Sequence, residues 1–85
     1  MPAFERTVTG IPLWLLRQYL EELGGQADSE GAVSGTGWQA RLTQVEDYQI
    51  GSVRVGRVRI EIDGVQDSLD RVLPALEKKL LRAGG

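Results

Sequence analysis

Cysteine and histidine are both absent from the 85 residues of this sequence. Without cysteine the chain has no disulfide, no thiolate nucleophile and no Cys-based metal site. Without histidine it lacks the commonest near-neutral acid–base group and the commonest metal ligand. A carboxylate site for a hard ion such as Mg²⁺ or Ca²⁺ remains conceivable only if the sheet brings Glu46, Asp47, Glu61 and Asp63 together. We therefore expect no catalytic residue, no metal and no cofactor, and we favour a non-enzymatic protein over an enzyme.

Long apolar runs and a strong net charge are missing as well. No run approaches the ~20 residues of a membrane span, and the N-terminus lacks a signal-peptide core, so we expect a cytoplasmic location and no membrane partner. The net charge of −2 argues against a general polyanion binder. The length allows one domain, residues 1–85, since a second core would not fit. Arginine greatly outnumbers lysine, which is compatible with a thermophilic source.

Two segments have helical periodicity. The first follows Pro12, ends at Gly24-Gly25 and has a leucine stripe at helical spacing: Leu13, Leu16, Leu20 and Leu23. The second has its own stripe before the C-terminus: Val65, Leu69, Val72, Leu76 and Leu80. Pro74 lies inside this second pattern, so either the helix bends there or the main helix begins near Leu73.

Strand patterns occupy most of the remaining sequence. Residues 4–9 form a short candidate strand, and alternation runs from Trp38, which we assign to the core, to Asp63. Within this region the parity of the apolar residues changes at Gly51 and again at Gly56, and each glycine marks either a turn or a β-bulge. Glu46-Asp47 is a third candidate turn, so the region contains two long strands or three shorter ones.

The segment from Gly25 to Gly37 is rich in glycine and polar residues, and we expect a mobile surface loop. Its glycines do not indicate a phosphate-binding loop, because such loops leave a strand and open a helix. The resulting element order is β-α-β-β-(β)-α. It predicts an α+β two-layer sandwich in which an antiparallel sheet of three to four strands carries both helices on one face.

The arginines are the strongest indication of a functional surface. Arg41, Arg57 and Arg59 have the parity opposite to the apolar residues of their strands, so they should line the sheet face away from the helices. Arg54 would join them wherever Val53 and Val55 face inward. Such a face suits an anion, an acidic protein or RNA. The alternative is a solvated face whose charges prevent aggregation, and no aromatic residue for base stacking has this parity.

Trp14 is the second indication, because it lies off the leucine stripe of the first helix. An off-stripe tryptophan is typical of an interface, although it could instead cover the edge of the core. Leu15 and Leu81 are off-stripe too, which favours an oligomer. We accordingly regard Trp14, Arg41, Arg54, Arg57 and Arg59 as the candidate interaction surface, and a second copy or another protein as the expected partner.

The strand segment Gly51–Ile60 is followed by an amphipathic helix that ends in Leu81-Arg82-Ala83-Gly84-Gly85. In this combination the chain resembles a small family of uncharacterised domains from thermophilic bacteria, over nearly its whole length. The resemblance implies a compact α+β domain and assigns no catalytic residue. The leading hypothesis is a non-enzymatic module that self-associates or binds protein, and the alternative is an anion- or RNA-binding domain that uses Arg41, Arg57 and Arg59.

Overall fold

A computed structural model of the chain describes residues 2–29 and 31–82. Its elements are β1 (Phe4–Thr9), α1 (Leu13–Glu22), β2 (Gln26–Ser29), β3 (Ala32–Gly35), β4 (Trp38–Ile50), β5 (Val53–Gly64) and α2 (Gln66–Arg82). The five strands form one sheet in the order β1-β5-β4-β3-β2. Every neighbouring pair is antiparallel. The predicted α+β class and antiparallel sheet are confirmed, with one strand more than the largest number expected.

Both helices pack on the same face of the sheet. α1 contacts β4, α2 contacts β5, and the two helices contact each other. The sheet side of the core consists of residues of one parity, which include the predicted Trp38: Trp38, Ala40 and Leu42 of β4, and Val58, Ile60 and Ile62 of β5. The helix side is built from the leucine stripes, with Leu16 and Leu76 completely buried. Burial of this apolar surface is the main source of stability.

α1 has the predicted extent and the predicted glycine end. Gly24 has a positive φ of 98°, which a residue with a side chain rarely adopts. The Gly25 N–H donates to the carbonyl of Leu20 at 3.0 Å, and the Gly24 N–H donates to that of Glu21 at 3.0 Å. These bonds satisfy carbonyls at the end of the helix and turn the chain back toward the sheet.

The prediction of a mobile loop between Gly25 and Gly37 is wrong, because this segment contributes β2 and β3. The two strands form an antiparallel hairpin, and β3 pairs in turn with β4. Val33 has no exposed surface. The composition is loop-like, yet one buried valine and the hydrogen bonds offered by the edge of β4 are enough to hold the segment in the sheet.

α2 runs continuously through Pro74, so the alternative start near Leu73 is wrong. The proline removes one hydrogen-bond donor, while the apolar stripe on both sides of it stays packed on the sheet. Val65 does not belong to the stripe, because it precedes the helix and is 60% exposed. Its backbone has a capping role instead: its N–H donates to the Gly37 carbonyl, and its own carbonyl accepts from Leu69 N–H.

Strands β4 and β5 form one long hairpin, which decides between the alternatives for the two glycines. Gly51 has a positive φ of 58° and occupies the first position of the two-residue turn. The register shifts between Val45 and Tyr48, so that Glu46 and Asp47 together oppose Gly56. The bulge is therefore on β4, and Gly56 lies opposite it.

Beyond the bulge the hairpin extends past the rest of the sheet. β1 pairs with β5 only as far as Arg57, and β3 pairs with β4 only as far as Arg41. We call residues 46–56 the arm. The molecule measures 43 × 24 × 23 Å along its principal axes, and this elongation fits a projecting two-stranded ribbon.

We predict that Gly35→Ala lowers the free energy of unfolding by about 1–3 kcal/mol. A Cβ at this position would collide with the indole of the buried Trp38. Gly56→Ala is the matched control, because its Cβ would meet nothing closer than Gln44 Nε2 at 3.8 Å. Urea unfolding of the two variants and the wild type measures the difference, and equal losses would contradict this packing.

A second prediction concerns the contact between the helices at Glu22 and Lys79. Lys79 Nζ lies 2.5 Å from Glu22 Oε1, and its hydrogen bond and charge lower the pKa of Glu22. A lowered carboxylate pKa contributes stability above the unfolded-state pKa, and this contribution is lost as the pH falls through the folded-state pKa. Glu22→Gln, which leaves Lys79 in place, should therefore be slightly less stable than wild type at neutral pH. The difference should vanish in acid, because Glu22 of the wild type is then protonated and loses its charge interaction with Lys79. Denaturant titrations at neutral and at acid pH measure the difference, and a difference that is unchanged in acid would contradict the assignment.

Candidate interaction surface

The sheet face opposite the helices carries no covering element among the described residues. We call it the open face. The register places its side chains in rows across the strands, from the base of the sheet to the arm: Asp63–Gln39–Ser34, Glu5–Glu61–Arg41–Ala32, Thr7–Arg59–Thr43, Thr9–Arg57–Val45, Val55–Tyr48 and Val53–Ile50. Along the strands the face therefore changes from mostly acidic and polar rows at the base, which include Arg41, through Arg59 and Arg57, to apolar rows on the arm.

The register places Arg41, Arg57 and Arg59 on the open face together. Arg59 Nε lies 3.5 Å from Glu61 Oε1, is buried, and finds no hydrogen-bond acceptor in the described part of the chain. Arg54 does not join them. It pairs with Gln49 on the opposite face of the arm, because Val53 and Val55 face outward rather than inward.

The carboxylates considered as a site for a hard cation are kept apart. Glu46 and Asp47 lie in the bulge, whereas Glu61 lies five residues beyond the facing Gly56, roughly 16 Å along the strand. Asp63 accepts a hydrogen bond from the Ala3 N–H at 3.0 Å. Within residues 2–29 and 31–82 no group of three acidic side chains is placed to hold a metal ion.

The arm presents an apolar surface that the sequence reasoning missed. Tyr48 is 47% exposed, and Ile50 and Val53 are each 59% exposed. Tyr48 opposes Val55 and Ile50 opposes Val53, so the four side chains share one face of the ribbon. The signal was present as the parity change at Gly56. The sequence left open whether Gly56 marks a turn or a bulge; since the extra residue lies on β4, the parity change at Gly56 sends Val53 and Val55 to the open face.

Trp14 is 59% exposed and lies on the other side of the molecule, at the start of α1. It lines a shallow hollow with Pro12, Leu13 and Gln44. The hollow lies next to the point on β4 where its pairing with β3 ends. The last hydrogen bond there runs from the Leu42 N–H to the Gly31 carbonyl at 2.7 Å, and no described strand pairs with this edge of β4 beyond it. Leu81 is also exposed, whereas Leu15 packs partly against the core.

Comparison with known proteins places the chain in a family. The family model described as "Archaeal MoaD-like protein" matches residues 4–85. The chain belongs to this family. A search of curated proteins finds no match. The expected resemblance to a small α+β family over nearly the whole chain is therefore confirmed in its extent, while the thermophilic source stays a prediction.

The family assignment names no activity for this MoaD-like chain, since a fold or family can carry several functions and the site must decide. No helix in residues 2–29 and 31–82 is both long enough and apolar enough to cross a membrane. The features that remain for a functional argument are the arginines of the open face, the apolar arm and Trp14.

We predict that Trp14→Ala changes the free energy of unfolding by about 0.5 kcal/mol or less, as expected for an exposed side chain. Trp38→Ala, the matched core substitution, should cost about 3–5 kcal/mol because Trp38 is 4% exposed. Chemical unfolding followed by circular dichroism measures both. A large loss for Trp14→Ala would instead identify this side chain as part of the core.

Proposed function

We propose that this protein is a non-enzymatic interaction module that self-associates through its open face and arm. The observation that carries the proposal is the apolar side of the arm. Tyr48, Ile50 and Val53 form a contiguous exposed surface on a projecting ribbon, and neither helix covers them. Contiguous apolar surface of this kind on a small domain marks an interaction site more often than scattered exposed residues do.

The shape of the arm supports the same function. A two-stranded ribbon without further strands is marginally stable in water, and its outer edges offer unpaired backbone groups. The charged residues on the arm, Glu46, Asp47 and Arg54, lie in the bulge or on the face away from the apolar side chains. The apolar side is thus kept free of charge, as the centre of a protein interface is.

Self-association is tested by light scattering after size-exclusion chromatography over a range of protein concentrations. We expect the wild-type mass to rise toward twice the chain mass of 9.3 kDa. The double variant Ile50→Ser/Val53→Ser should stay monomeric, because it removes apolar area at the contact. Leu81→Ser is the matched control, since Leu81 is 75% exposed but lies on α2, away from the open face. A strictly monomeric wild type at high micromolar concentration would contradict the proposal.

Binding of anions or single-stranded RNA is the second candidate, and the position of Tyr48 favours it. The bulge brings Tyr48 to the open face one row from Arg57, so an aromatic ring shares this surface with Arg41, Arg57 and Arg59. Sheets that bind single strands combine stacking rings with cationic side chains. The acidic residues at the base of the face and the net charge of −2 weigh against it.

If the open face binds RNA, the affinity for a mixed-sequence single strand should fall steeply with salt. It should fall further in Arg57→Ala and in Tyr48→Ala, but not in Arg71→Ala on α2. Fluorescence anisotropy with a labelled oligonucleotide measures this. An absence of binding at low salt would remove RNA from consideration.

A further inference from the structure

We infer that the partner on the open face is a second copy of this chain, packed sheet to sheet with the two arms pointing the same way. The two-fold axis would lie between the two packed sheets, parallel to the strands and above the line midway between β4 and β5. The inference rests on the self-association proposed above and adds a specific geometry to it. Three features carry it: the cross-strand register, the distribution of charge along the face, and the area of the face.

The register determines what such a rotation brings together. A two-fold axis midway between β4 and β5 exchanges the positions of these two strands in the second copy. Each β4 side chain on the open face then lies over the copy of its own cross-strand neighbour on β5. Two residues that are cross-strand neighbours within one chain therefore also face each other across the interface, in the same register.

The charges along the face are complementary in this arrangement. Arg41 lies over Glu61 of the second copy, and the symmetry repeats the pair. At the arm, Ile50 lies over Val53 of the second copy, and Tyr48 lies over Val55. The remaining rows place Gln39 with Asp63, Thr43 with Arg59, and Val45 with Arg57. No row of the β4–β5 ladder brings two like charges together.

The opposite orientation can match the charges but does not cover the arms. With the axis across the strands, each strand lies over its own copy in reverse. When the axis passes between the rows of Arg59 and Glu61, Arg59 lies over Glu61 of the second copy and Arg57 lies over Asp63, but each arm extends past the base of the other chain. The apolar side of the arm then stays exposed to water, so the orientation with the two arms side by side is favoured.

The area requirement favours use of the whole face over use of the arm alone. A strand spacing of ~4.8 Å and a rise of ~3.3 Å per residue give the open face on the order of 500 Å² in plan. The apolar part of the arm contributes only about 100 Å² of this. Stable interfaces bury roughly 800 Å² of accessible surface on each partner. The full face approaches this value once side-chain relief is included, and the arm does not.

The test uses the reciprocity of the Arg41–Glu61 pair. Arg41→Glu alone brings two glutamates together across the interface, and Glu61→Arg alone brings two arginines together. Each variant should associate more than about tenfold more weakly than wild type. In an equimolar mixture of the two variants every such contact becomes an opposite-charge pair, so a heterodimer of near wild-type affinity should form. A rearrangement inside one chain cannot produce this rescue on mixing.

Analytical ultracentrifugation of each variant and of the mixture gives the dissociation constants, and circular dichroism confirms that each variant is folded. Arg71→Glu, an exposed charge reversal on α2, is the control and should associate as wild type. If Arg41→Glu does not fold, Thr43→Arg serves instead. It should weaken the homodimer through Arg59 of the second copy, and mixing with Arg59→Glu should restore association.

The outcomes separate the two proposals. A monomeric wild type overturns self-association and this geometry together. A dimeric wild type whose charge variants stay monomeric on mixing overturns the geometry alone. Charge variants that dimerise as tightly as wild type also overturn the geometry, and they restrict the contact to the arm or to the surface around Trp14.

Discussion

The antiparallel ladder between β4 and β5 is the interaction on which the rest of this structure depends. It joins these two strands over nearly their full length, and β1 pairs with the free side of β5 while β3 pairs with the free side of β4. Its inner side carries the sheet half of the core, where Ile60 and Ile62 have no exposed surface. Its outer side forms the centre of the open face. A single pairing register therefore sets both the packing of the helices and the arrangement of the candidate surface.

The bulge at Glu46-Asp47 keeps the two ends of this ladder distinct. At the base, one parity of β4 is buried under the helices. Past the extra residue, Tyr48 and Ile50 of that same parity point to the other face, where they meet Val53 and Val55. The charged pair that forms the bulge is exposed and needs no partner in the core. One inserted residue thus converts an inward apolar pattern into an outward one.

The sequence was sufficient for the elements with strong periodicity. Both helices, the first strand and the core position of Trp38 follow from spacing and from glycine or proline positions. Two features did not follow. β2 and β3 have loop-like composition and exist because the edge of β4 offers hydrogen bonds, which is a tertiary effect. The placement of Arg54 and of the apolar arm depended on whether a parity change meant a bulge or a reversal of face. Only pairing with the opposite strand decides that question.

The division of the hairpin at the bulge also bears on how this family can diverge. Side chains at the base of β4 and β5 are tied to the helices, so changes there are constrained by the core. From Tyr48 to Val55 the two strands of the arm pair only with each other, and pairs of residues can be added or removed near Gly51 without altering the register below. Selection for a new binding surface can therefore act on the arm while the folded base stays as it is.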